Sequence, residues 1–243
     1  ATGGHAGRRG PFQPLLMDVS HIEAAYEYRM RREGEAETDF ALRMANLLEK
    51  EIQRLGAETV MAFVAEPVVG ASLGTQPAPK GYFKRIREIC NTYGVLFIAD
   101  EVMCGMGRTG SLFALEQEGI AADITTLAKG LGAGYQPIAA LMAAENVIRI
   151  IKNGSGTLWN GHTYMSHAIA TAGALAVQQV IEEEKQAVIK EKKVEADVTK
   201  KAVKNLQSKV EKSTLGDLGV LAGLKAKMDN AGSDKADDAE PTA

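Results

Sequence analysis

Between Thr125 and Leu141 the sequence TTLAKGLGAGYQPIAAL carries one charged side chain, Lys129. Three glycines follow it at alternate positions (Gly130, Gly132 and Gly134), and no acid occurs in the ten residues after the lysine. Such an amine is either a solvent-reaching lysine beside a flexible loop or a partly desolvated nucleophile placed for carbonyl chemistry. Two carboxylates favour the second reading. Asp100 closes the apolar run VLFIAD, and Glu66 closes TVMAFVAE, much as Lys129 closes DITTLAK. An amine that forms an imine and an acid that keeps a ring nitrogen protonated are the two groups that pyridoxal phosphate needs from a protein.

One other cofactor competes. Gly105, Gly107 and Gly110 form a G-x-G-x-x-G pattern after the run that ends at Asp100, as a dinucleotide-binding turn would. Against it, Asp100 and Glu101 stand where a pyrophosphate must approach, and the next acid, Asp123, comes early. A glycine fingerprint alone carries little weight.

The elements that must position these groups alternate between strand and helix. TDFALRMANLLEKEIQRL (38–55) repeats apolar residues at helical spacing, with Thr38 expected as N-cap and Gly56 as stop. The run 59–70 reads as a buried strand ended by Glu66–Pro67, 81–94 as a helix, and 95–102 as a strand ending in acid. A short helix near 112–118, strands at 123–129 and 137–144, and a helix at 145–152 follow. This order predicts an α/β fold, a mainly parallel sheet with helices on both faces. Ligands gather at the carboxyl ends of such strands, where Glu66, Asp100 and Lys129 fall. Beyond Ser166 a small-residue-rich helix leads into a strongly charged stretch, 182–212, expected to be an exposed helix.

Composition is that of an ordinary globular chain: 243 residues, 45% hydrophobic, 24% charged, net charge −3. The acidic balance gives no support to nucleic-acid binding, and no apolar run is long enough to predict a membrane span. Cys90 and Cys104 are the only cysteines, too few for a disulfide framework and without C-x-x-C spacing. The four histidines show no ligand spacing, so no metal is expected, and a reduced, cytoplasmic setting is. The arginine pair in ATGGHAGRRGPFQPLLM is not followed by a signal-peptide core. The glycine-rich start without Met reads as a chain that begins within a longer one.

Four stretches, FVAEPVVGASLG, LFIADEVMCGMGRTG, DITTLAKGLGAGYQPIAA and GHTYMSHAIATAGALAV, resemble in order and spacing the class III aminotransferases of the fold type I pyridoxal phosphate enzymes. The resemblance is clear from Gly4 to Ile181 and faint to Leu224. It implies a PLP-dependent transaminase that moves an amino group between an amine or amino acid and an oxo acid by ping-pong Schiff-base chemistry. By position it makes Lys129 the cofactor-bearing lysine, Asp100 the partner of the ring nitrogen and Val102 a ring contact. Thr163 becomes a phosphate ligand offered across the interface of a homodimer with shared active sites. Glu66 matches a substrate-pocket glutamate that can pair with an arginine gate. It implies domains at 1–181 (the PLP-binding large-domain portion), 182–228 (a helical linker and small-domain remnant) and 229–243 (a disordered tail).

Departures accompany the match. Met103 stands where many members carry glutamine, and a thioether is a poor partner for a phenolic oxygen. The family's upstream phosphate-binding turn and most of its C-terminal domain have no counterpart. The alternative is therefore a catalytically inactive truncated paralogue or fragment that keeps the fold and dimer surface.

Overall fold

A computed structural model describes residues 2–210 and residue 223. The expected small-domain remnant beyond 210 and the tail at 229–243 lie outside the described residues. The helices are α1 (Ala6–Arg9), α2 (Glu27–Met30), α3 (Glu37–Leu55), α4 (Tyr82–Tyr93), α5 (Glu145–Asn153) and α6 (Ala168–Val210). The strands are β1 (Ala62–Ala65), β2 (Val68–Val69), β3 (Gln76–Pro77), β4 (Leu96–Asp100), β5 (Ile124–Leu127) and β6 (Ala140–Ala143). Two compact units divide the chain, Ala1–Val180 and Ile181–Ala243. In the second, the described residues continue α6 and are almost all exposed, as its dense charge predicts.

In the first unit the main sheet has the order β1-β4-β5-β6. β1 with β4 and β4 with β5 run parallel, and β6 turns antiparallel to β5. The sheet is thus mainly parallel, in an α/β fold. On one face α3 and α4 pack together over Phe97 and Ala99 of β4. Phe97 is fully buried between Phe63 and Phe83, with ring centroids 6.2 and 5.8 Å away. Burying such a ring contributes about 1.5–3 kcal/mol, so the β4 register is fixed by its core face. Because side chains alternate along a strand, Leu96, Ile98 and Asp100 take the other face. Asp100 lies in register with Thr126 there.

Gly81 and Gly94, both left-handed, bracket α4, and Gly56 stops α3 at φ +90°. These are conformations a side chain resists. The α3 start differs from expectation. Thr38 is not the cap: the helix opens at Glu37 with Ala36 as N-cap. Glu37 and Asp39 supply negative charge to the first turn instead.

The run 59–70 is not one buried strand either. β1 is the sheet edge, and Met61 and Val64 are exposed. After Pro67, which has no N–H for a ladder, the chain forms the β2–β3 hairpin. The strand expected at 137–144 shortens to β6, which begins after Pro137.

Candidate active site

Asp100 and Lys129 sit at the carboxyl ends of neighbouring parallel strands. The Asp100 carboxylate is oriented by two donors that share one oxygen. Val102 N donates to Oδ1 at 3.1 Å and Thr126 Oγ1 donates to it at 3.2 Å. Oδ2 takes no hydrogen bond among the described residues, so one acceptor is left over on a side chain that is otherwise fixed.

Lys129 follows β5 after Ala128 and opens a turn of 3-10 helix, Lys129–Gly132. Its φ is +45°, a left-handed conformation uncommon for a side-chain-bearing residue and typical of constrained functional sites. What holds it is an interlock of two loops. A Cβ on Gly130 would lie 2.9 Å from Met106 Cβ, and one on Gly132 would lie 2.9 Å from Ile138 Cγ2. Backbone therefore packs against side chain at distances only glycine permits. Lys129 Nζ lies 2.7 Å from Met103 Sδ. The residue that departs from the glutamine pattern is thus the neighbour of the amine.

Glu66 is half-buried and accepts a hydrogen bond from Gly70 N at 2.9 Å. Together Glu66, Asp100, Val102, Met103 and Lys129 line one cleft of about 610 Å³. Its other wall is the N-terminal arm, drawn from Gly3–Leu16 and including Arg8 and Arg9. The structure therefore brings four of the five residues singled out in the sequence to one place. Thr163 is the exception. It is exposed and does not line the cleft.

Two residues carry weight that sequence reasoning missed. Glu101 is 1% exposed, and its carboxylate accepts from Ala114 N at 3.0 Å, Leu115 N at 3.2 Å and Cys104 Sγ at 3.2 Å. It ties the loop after β4 to the helical turn at 114–118. Removing it would strand the buried Leu115 N–H at about 1–3 kcal/mol and free the half-buried Ala114 N–H. Burial, reinforced by the Glu101 carboxylate, pushes the Cys104 thiol up to about 12, so it stays protonated and is no rival nucleophile. Asp123 is also structural: its Oδ2 accepts from Phe97 N at 2.7 Å and from Arg87 at 2.6 Å.

Among the described residues no group of His, Cys, Asp or Glu is arranged to hold a metal ion. Nor is any helix among them long and apolar enough to cross a membrane.

Comparison with known proteins places this geometry among relatives. A family model for class III aminotransferases matches residues 1–236. An aminotransferase of Gibberella zeae is 47% identical over 186 residues, which cover 76% of this chain and 36% of that protein. An uncharacterized aminotransferase of Bacillus subtilis is 39% identical over 225 residues, covering 91% of this chain and 49% of the relative. Among solved structures, the omega transaminase of Pseudomonas jessenii in complex with PMP superposes with TM-score 0.69 at 40% identity, over 74% of this chain and 40% of that one. The chain thus spans between about a third and a half of the curated relatives it matches.

Proposed function

The chain belongs to the class III aminotransferase family, and from that premise we propose that its cleft is the lysine-bearing part of a pyridoxal phosphate site serving amino-group transfer. The observation that carries the reading is the pair at neighbouring strand ends. Lys129 and Asp100 line one cleft, and Asp100 is fixed through Oδ1 with Oδ2 left over. That donor set fits the cofactor at two points, an amine for its aldehyde and a carboxylate for its ring nitrogen.

Bound there, pyridoxal phosphate supplies a carbonyl that condenses with amines and a protonated ring that withdraws electrons. Lys129 Nζ is the group that would hold the cofactor's aldehyde, and as a free amine it would be the base placed to take and return a proton. Asp100 Oδ2 would accept from a protonated ring nitrogen, and the two donors to Oδ1 orient the carboxylate. Val102, which lines the same cleft, would contact the ring. Glu66, half-buried in the same cleft, would be free to pair with an arginine gate of the substrate pocket, as the resemblance implies. The substrates are an amine or amino acid and an oxo acid. Thr163 does not line its own cleft, and the resemblance would have it serve the phosphate of a second copy in a homodimer.

Incubation with pyridoxal phosphate, borohydride reduction and peptide mapping tests the reading. The pyridoxyl label is expected on the peptide that contains Lys129. Label spread over the lysines of residues 185–204 instead would overturn it.

A further inference from the structure

We propose that Met103 is an oxidation site through which peroxide switches off the amine of Lys129. The inference rests on the reading of Lys129 as the nucleophile of the cleft. It starts from the amine's neighbour. The Met103 sulfur lies 2.7 Å from Lys129 Nζ, and among the described residues that thioether is the amine's one hydrogen-bond partner. None of the ion pairs among them includes Lys129. A thioether is a weak, uncharged acceptor, so it touches the amine without a charge that would hold it as ammonium.

The sulfur is both placed and reachable. Met103 lines the cleft and is 41% exposed. Its side chain lies along Gly70, where an added Cβ would meet Met103 Cγ at 3.0 Å and Cε at 3.2 Å. In the proposed step a sulfur lone pair attacks one oxygen of hydrogen peroxide. The S–O bond forms as the O–O bond breaks, and the sulfur is oxidised by two electrons. The oxygen left behind takes up the proton of the transferred one and departs as water. The product is methionine sulfoxide, a polar side chain that sulfoxide reductases return to the thioether. Its oxygen is a far better acceptor than the sulfur was, and the amine already in contact with that sulfur is a donor within its reach. An ammonium held there by a charge-assisted hydrogen bond has no lone pair to offer an aldehyde.

The test treats the full chain with hydrogen peroxide, destroys the excess with catalase and maps sulfoxide at each methionine by peptide mass. Two probes then read Lys129: trace acetylation by acetic anhydride, which needs no cofactor site, and borohydride trapping of pyridoxal phosphate. Both are expressed relative to the lysines of α6. Reactivity at Lys129 should fall about 10-fold as Met103 becomes sulfoxide, the size expected of one hydrogen bond to a charged group. Methionine sulfoxide reductase, applied to the same sample, should restore it.

Met103→Leu keeps the bulk and removes the sulfur. Compared with its own untreated sample it should lose no reactivity at Lys129, although the more exposed Met17, Met61, Met142 and Met165 are oxidised. Equal losses in Met103→Leu and wild type would overturn the switch, as would unaltered Lys129 reactivity at full Met103 oxidation. So would a Met103 that stays reduced while Met61 and Met165 oxidise. The two probes keep this inference separate from the cofactor reading. Acetylation at Lys129 that responds to peroxide, with no pyridoxyl label there in any sample, sinks the cofactor reading and upholds the switch.

Discussion

A carboxylate with one oxygen pinned and the other unpartnered is a directional device, and Asp100 is built that way. Val102 N and Thr126 Oγ1 both spend themselves on Oδ1. Asp100→Asn keeps the shape and can keep both of those hydrogen bonds through its carbonyl oxygen. It removes the negative charge that, on the proposed reading, would stabilise a protonated ring nitrogen. Loss of one such electrostatic stabiliser costs on the order of 10²–10³-fold. The variant should therefore still take the pyridoxyl label on Lys129 while the amino-transfer half-reaction slows by that factor, followed by stopped-flow absorbance. A half-reaction as fast as wild type would mean that another acid faces the ring. Asp100 and Lys129 were legible in the sequence because each is a charge at the end of an apolar run. Glu101 was not, because its role depends on which loop the fold brings beside it. Nothing local distinguishes Glu101, which is buried and fully bonded, from Asp100 one residue earlier.

At the scale of elements, the site is held by two loops pressed together rather than by the sheet alone. Gly130 lies against Met106, and Met106 itself is left-handed at φ +59°. Gly130→Ala would force its new methyl to 2.9 Å from Met106 Cβ, and overpacking of this kind costs about 1–3 kcal/mol. The adjoining turn begins at Lys129, so the amine moves with it. The expected result is a lower melting temperature together with slower borohydride-trapped labelling at Lys129. Adding Met106→Gly removes the opposing Cβ and suits the positive φ, so the double variant should recover the labelling rate. Recovery of stability without recovery of labelling would show that the interlock does not position the lysine. Strand and helix order was readable here because apolar periodicity is a local signal. The Gly130–Met106 contact was not, because the two residues lie on separate loops. The same limit explains β1: its apolar run predicted burial, but burial depends on neighbours, and β1 is an edge with Val64 exposed.

At the scale of the molecule, the exposed apolar side chains are unevenly placed. Leu158, Trp159, Tyr164, Met165 and Ile169 all reach solvent around Thr163, and Trp159, the only tryptophan, is 87% exposed. A concentration of large apolar groups on a surface marks a region that another surface covers. A second copy covering this segment would bring Thr163 to its neighbour's cleft, which its own position in the chain does not. Trp159 reports the event directly, because an indole leaving water shifts its emission to shorter wavelength. A dilution series from nanomolar to high micromolar chain should show that shift, in step with a change from monomer to dimer mass by sedimentation. Ile169→Glu, which places a charge inside the covered segment, should hold the emission at the long-wavelength limit throughout and keep the mass monomeric. Assembly to dimer with Trp159 emission unmoved would place the interface elsewhere and leave Thr163 without a phosphate to serve.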